Sequence, residues 1–306
     1  MKISVFGLGY VGTVTAACLA EARHEVTGVD PNQAKTDLIT EGKSPIVELD
    51  VAEMIGNAVR AGSLTATDDA RAAVHDSGMS LVCVGTPSQS NGDLDLTYVR
   101  RVCGEIGEAI ADKDGTHTVV IRSTMLPGST RSVVIPALEQ ASGRSVGDGL
   151  TVCVNPEFLR EGTAVHDYYH PPKIVIGEEH PGGGDSMAAL YADIDAPSFR
   201  CAIEVAEMIK YVDNSWHATK VAFANEFGAI CKAVGVDSHD VMNVFVRDTK
   251  LNISPAYLRP GFAFGGSCLP KDLRAINYKA KSLDLDVPLL RSVLRATACM
   301  SIGLST

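Results

Sequence analysis

A chain of 306 residues that is 45% hydrophobic carries enough apolar surface for two ordinary cores, since domains usually run about 100–200 residues. Its formal net charge of −10 at pH 7 argues against binding to nucleic-acid backbones, which needs clustered Lys and Arg to displace counterions. Eight cysteines are scattered from Cys18 to Cys299 with no Cys-x-x-Cys pair, a pattern of neither a zinc site nor a disulfide scaffold.

The chain begins as a strand, with no room for a signal sequence, and no apolar run reaches the roughly 18–20 residues of a membrane span. A reduced, cytoplasmic setting is expected. Short apolar runs then alternate with helix-length segments to about residue 200. Strands are predicted at Ile3–Gly7, Glu25–Val29, Ser80–Val84, Thr118–Arg122, Leu150–Val154 and Lys173–Ile176, with helices such as Gly12–Glu21 and Thr97–Ala111 between them. That alternation defines βαβ units, and so an α/β fold with a Rossmann-type, doubly wound parallel sheet. Ser142–Gly149 and Gly182–Asp185 read as surface turns. Beyond Cys201 the pattern changes to one long helix from Glu204 to about Val234, a second from Ser238, a Pro- and Gly-rich loop from Ser254 to Pro270, and further helix. The expected domains are therefore 1–200, which binds a dinucleotide, and an all-helical 201–306.

Gly7-Leu8-Gly9-Tyr10-Val11-Gly12 leaves the first strand and opens the first helix. Gly7 allows a tight turn, Gly9 lets a pyrophosphate approach backbone N–H groups, and Gly12 lets helix and strand pack closely. Asp30 ends the next strand, near the expected offset of about 20 residues, where a carboxylate accepts from ribose hydroxyls and repels a 2′-phosphate. The cofactor predicted is NAD. Val84-Gly85-Thr86-Pro87 and Ser123-Thr124-Met125-Leu126-Pro127-Gly128 end later strands at the same edge, where their hydroxyls could meet the cofactor or simply close a turn.

Further along, Gly265-Gly266-Ser267-Cys268-Leu269-Pro270-Lys271-Asp272 puts a thiol before a predicted helix start, with a cation and a carboxylate nearby. Such surroundings favour a thiolate nucleophile. Asn155-Pro156-Glu157-Phe158-Leu159-Arg160-Glu161-Gly162 offers two carboxylates after a strand. Lys210, Asn214 and His217 share one face of the long helix, and Asn225 and Glu226 suggest that this polar stripe continues into a pocket. A solvated helix face would give the same stripe.

In this order the motifs resemble the nucleotide-sugar 6-dehydrogenases, the family of UDP-glucose and GDP-mannose dehydrogenases. Trp216-His217-Ala218 and the run from Lys250 to Phe264 look like its GDP-mannose branch. The resemblance implies NAD contacts from Tyr10, Val11, Asp30, Lys35, Thr86, Thr124 and Lys271. It further implies a sugar-nucleotide site formed by Glu161, Lys210, Asn214, His217, Asn225, Tyr257, Arg259, Phe262 and Gly265, with Arg259 serving a neighbouring subunit of a homodimer or larger homo-oligomer.

Implied too is a four-electron oxidation of GDP-mannose to GDP-mannuronate, for an alginate-type polymer. Cys268 is its nucleophile, Lys210 and Asp272 handle protons, Glu161 activates water, and Asn214 and Thr124 complete the catalytic set. UDP-glucose is the alternative substrate. Family members continue into a further nucleotide-binding domain, whereas this sequence stops at Thr306. Intact NAD binding with weak or absent turnover, as in an inactive NAD-binding or oligomerisation fragment, is therefore also expected.

Overall fold

The first strand, β1 (Lys2–Phe6), is buried at every residue after Lys2, and such a strand belongs inside a sheet covered on both faces. A computed structural model, which describes residues 1–90, 93–254, 273, 277, 280–293 and 295, places it there. The chain continues through α1 (Tyr10–Glu21), β2 (Glu25–Val29), α2 (Gln33–Thr40), α3 (Val51–Ala61) and β3 (Leu64–Thr67). It returns through α4 (Ala70–Asp76) to β4 (Met79–Val82), α5 (Thr97–Ala111) and β5 (His117–Ile121). A wide helical turn at Thr130–Val134 leads into α6 (Ile135–Ser142) and β6 (Leu150–Val154). Last come α7 (Ala164–Tyr169), β7 (Ile174–Glu178), α8 (Asp185–Leu190), β8 (Ser198–Ala202), α9 (Ile203–Val234) and α10 (Ser238–Phe245).

The eight strands lie in the order β3-β2-β1-β4-β5-β6-β7-β8. From β3 to β6 they are parallel, and the order reverses between β1 and β4, where α/β sheets open a crevice for ligands. One face packs on α1, α3, α7 and α8 and the other on α4, α5, α6 and the start of α9. Fully buried Ile, Leu and Val side chains in such layers contribute roughly 1.5–3 kcal/mol each.

The sheet departs from the all-parallel expectation at β7. This strand runs antiparallel to β6 and pairs with it only through Cys153↔Glu178 and Val154↔Gly177, while β8 runs parallel to β7. Because β7 starts at the edge where β6 ends, the stretch from Asn155 to Lys173 leaves and rejoins the sheet at that same edge, with α7 between laid against α1. Strands β3 and β8 also go beyond the predicted set. Both are edge strands, β8 largely exposed and β3 buried only at Leu64, so neither shows the apolar run of an interior strand.

By its internal contacts the chain divides into Met1–Val212 and Asp213–Thr306. In the second unit Ile230, Ala280, Val287 and Leu290 are buried together. Glu226 accepts from the Leu289 and Leu290 N–H groups at 2.6 and 3.0 Å. It therefore caps the helical segment that starts at 288, a structural task in place of the polar-pocket role expected for it. No helix among the described residues is long and apolar enough to cross a membrane.

At the opposite edge from the ligand crevice, β5 begins with a buried histidine. Lys113 Nζ donates to His117 Nδ1 at 3.0 Å, so the ring proton sits on Nε2 and is donated to Ser80 Oγ at 2.8 Å. Burial, reinforced by the Lys113 cation, pushes the His117 pKa down to about 3. The unfolded chain therefore binds a proton that the folded chain refuses. Stability is full above the ordinary value of 6.5 and is lost progressively as pH falls toward 3. In urea unfolding at pH 7 and pH 5, the wild-type chain should lose about 2 kcal/mol more than His117→Gln. Equal losses would place the effect on other groups.

Candidate functional site

The turn after β1 is set by two glycines with different duties. Gly7 has φ +92°, a conformation that a side chain would strain. A Cβ on Gly12 would stand 1.8 Å from the Gly7 carbonyl oxygen, so α1 reaches its seat only because Gly12 has none. Gly9 caps α1 with no side chain, and a Cβ there would meet nothing within 4 Å. The space beside Gly9 thus lies against the first N–H groups of α1, a fit for a pyrophosphate at the positive end of a helix.

Asp30 closes the turn from the β2 side and is 5% exposed. Its Oδ2 accepts from the Leu8 N–H at 2.8 Å and from Lys35 Nζ at 3.1 Å, and its Oδ1 from the Asn32 N–H at 3.0 Å. A carboxylate offers about four acceptor sites, so Oδ1 retains one for a ribose hydroxyl. Gly7, Gly9, Asp30, Lys35, Gly85 and Tyr98 line a cleft of about 390 Å³, within the range of ligand sites. Tyr10 and Val11 pack on the core beside it.

The later strand ends are tied to each other. Thr86 Oγ1 donates to the Thr124 carbonyl at 2.8 Å, and Ser123 Oγ to the Val84 carbonyl at 2.6 Å. Beyond Thr124, the buried Glu207 of α9 accepts from the Gly128 N–H at 2.6 Å and from the Thr130 N–H and hydroxyl at 2.8 and 2.7 Å. The segment carrying Thr124 is thereby held at both ends.

Asn155 is 2% exposed and is clamped by the Arg122 guanidinium, by the Tyr191 hydroxyl at 2.8 Å and by its own bond to the Val175 carbonyl at 2.8 Å. This fixes the start of the Asn155–Gly162 segment. Two residues on, Glu157 meets Lys210: Nζ lies 2.7 Å from both Oε1 and the main-chain oxygen of Glu157, with each side chain little exposed. Lys210 also approaches the Phe158 ring at 5.7 Å. The predicted Lys210 is therefore held by the first of the two carboxylates of the Asn155–Gly162 motif. Glu161 is exposed on the turn before α7.

The first unit thus contains Gly7, Gly9, Tyr10, Val11, Gly12, Asp30, Lys35, Thr86, Thr124, Glu161 and Lys210. Asn214, His217 and Asn225 belong to the second unit and are exposed on α9. Tyr257, Arg259, Phe262, Gly265, Cys268, Lys271 and Asp272 lie outside the described residues. Glu157 and Glu207 were within reach of the sequence, one in a strand-end motif and the other a turn of helix before Lys210. Glu48-Leu49-Asp50 stands where the family resemblance leads one to expect a Pro-Gly-Leu turn, but nothing near Glu48 in sequence points to its partners, which lie 38, 114 and 116 residues away.

A nucleotide-binding crevice at the β1–β4 reversal, followed by a helical unit, defines a dinucleotide-dependent enzyme class. The chain belongs to the UDP-glucose/GDP-mannose dehydrogenase family: residues 1–195 match its NAD binding domain and residues 204–297 its central domain. Its cofactor is NAD. It is 55% identical over 298 residues to the GDP-mannose 6-dehydrogenase of Pseudomonas aeruginosa, covering 97% of this chain and 68% of that protein. Against the UDP-glucose 6-dehydrogenase of Haloferax volcanii the identity is 38%, covering 96% of this chain and 69% of that protein. A crystal structure of a ternary complex of the P. aeruginosa GDP-mannose dehydrogenase superposes with a TM-score of 0.97 at 54% identity, over 98% of this chain and 69% of that one. A UDP-glucose dehydrogenase from Pyrobaculum islandicum gives 0.78 at 36% identity, over 97% of this chain and 67% of that one.

The two glycines separate packing from cofactor contact. Gly12→Ala should destabilise the chain by about 2–4 kcal/mol, since backbone must move to admit the Cβ. Gly9→Ala should unfold within about 0.5 kcal/mol of wild type yet bind NAD at least about tenfold more weakly. Chemical denaturation and an NAD titration check both, and a Gly9→Ala chain with unchanged NAD affinity would remove the pyrophosphate from that space.

Proposed function

We propose that this chain acts in the NAD-dependent four-electron oxidation of GDP-mannose to GDP-mannuronate, the activated sugar of an alginate-type polymer. The observation that carries this reading is the 55% identity to a GDP-mannose 6-dehydrogenase across 97% of the chain, against 38% to a UDP-glucose enzyme. NAD supplies a hydride acceptor, used twice per sugar.

In this reading the sugar C6 alcohol gives up a hydride and a proton and becomes an aldehyde. The Cys268 thiolate adds to the aldehyde carbon, and the resulting oxyanion takes a proton as a thiohemiacetal. Loss of a second hydride, with that proton, leaves a thioester. Water, deprotonated by Glu161, then breaks the C–S bond and releases the carboxylate, returning the thiolate. Lys210 is a cation fixed on Glu157 before substrate arrives, which suits it to steady the oxyanion with no reorganisation. Asp272, Asn214 and Thr124 are assigned proton handling and orientation, and His217, Asn225, Tyr257, Arg259, Phe262 and Gly265 the sugar nucleotide.

The reading places the protein in the cytoplasm, where thiols such as Cys268 stay reduced. It also takes the chain to be a homo-oligomer. Val205, Met208 and Val212 recur along the start of α9 and are exposed, a stripe that a second copy would cover. Sedimentation should show a dimer or larger species, and a monomer at micromolar concentration would remove that part of the reading.

Turnover with NAD and GDP-mannose should yield two NADH per sugar consumed, and Cys268→Ser should lower uronate formation at least about a hundredfold while NAD still binds. UDP-glucose replacing GDP-mannose with equal turnover would transfer the reading to the other substrate. No NADH from either sugar, with NAD bound, would mark the chain as an NAD-binding fragment of such an enzyme.

A further inference from the structure

Glu48 stands on the connection between α2 and α3, outside both the cofactor turn and the Asn155–Gly162 segment, yet its carboxylate bonds to a residue of each. Oε2 accepts from the Tyr10 hydroxyl and, at 2.7 Å, from the Gly162 N–H, while Oε1 accepts from the Ala164 N–H at 3.1 Å. Tyr10 is the first residue of α1, next to Gly9, and Ala164 is the first residue of α7. One side chain thus joins the start of the cofactor helix to the turn that carries Glu161.

The direct contact between those two places is poor by comparison. Tyr10 Oη lies 3.4 Å from the Arg160 carbonyl, near the limit for a hydrogen bond. Bonds to an ionised carboxylate are shorter and roughly twice as strong as neutral ones. Partial burial works against the charge on Glu48, but the bonds from Tyr10, Gly162 and Ala164 outweigh it, and its carboxyl sits below the ordinary value. The Tyr10 phenol is pushed the other way, by burial and then by Glu48, so it stays protonated as the donor.

We propose that Glu48 is a positioning residue that makes the placing of Glu161 depend on NAD: a cofactor seated on the Gly9–Val11 backbone fixes Tyr10, and Tyr10 through Glu48 fixes the 160–164 turn. This rests on the reading of Glu161 as the carboxylate that activates water. It assigns Glu48 no contact with substrate or cofactor. Its chemistry is that of a tether between two loops, and its consequence is that bound cofactor holds the turn of the hydrolytic carboxylate more tightly than the bonds of the free chain do.

Amide hydrogen exchange at Gly162 and Ala164 in the full chain tests it, with and without NAD at a concentration shown by titration to saturate each variant. In the wild type, NAD should slow exchange at both amides by about tenfold. In Glu48→Gln and Tyr10→Phe the two rates should be equal with and without NAD. A carboxylate that merely holds the fold would speed exchange in the variants yet leave the slowing by NAD in place, and that outcome overturns the proposal. It is overturned as well if NAD changes neither amide in the wild type, or if both variants lose NAD binding altogether, since Glu48 would then serve the cofactor itself. The exchange experiment needs no turnover. Glu161→Gln that leaves uronate release intact would instead remove the role given to Glu161 while leaving the link from Tyr10 to the turn standing.

Discussion

Helix α1 can lie where it does only because the Gly12 backbone touches the Gly7 carbonyl with no side chain between them. That contact aims the N–H groups at the start of α1 into the crevice beside β4, and it buries the helix from Gly12 to Ala20 on every side. The cofactor turn is thereby part of the core, built from the same packing as β1 and β2. A site made this way needs no ligand to hold its shape, and the bond from Leu8 to Asp30 locks its second side.

The other segments at this edge are long and irregular, and each is held by a carboxylate that accepts from backbone. Glu207 takes the N–H groups of Gly128 and Thr130, Asp167 that of Arg160, and Glu48 those of Gly162 and Ala164. A carboxylate bonding to several donors is strong for its size, which lets segments with few apolar residues keep one conformation. It also explains how an acidic chain can build a site for an anionic dinucleotide: several of its negative charges at this edge are already spent on N–H groups and on Lys210, Lys35 and Arg160.

The antiparallel β7 supplies what the parallel sheet alone would not. A parallel strand after β6 would need a crossover back to the far edge, and the residues from Asn155 to Lys173 would be divided between the two edges. With β7 starting at the near edge, the segment from Asn155 begins beside the end of β5, and α9 enters at a level where Lys210 reaches Glu157 and Glu207 reaches Gly128 and Thr130.

Much of this was determined by the sequence itself. The interior strands, the long α9, the glycine turn, Asp30 and the order of the motifs follow from local spacing, because periodicity, positive φ and close packing each restrict which residues can stand at a position. Only the tertiary structure decided that β3 and β8 are strands, since a short edge strand is formed by the neighbour it pairs with and by no pattern of its own. It alone decided that Glu226 caps a helix, that Glu157 receives Lys210, and that Glu48 joins residues 38 and 114 positions away. A carboxylate carries no local signature of its partner, because hydrogen-bond donors are spread along the whole backbone and only folding brings a particular few within reach.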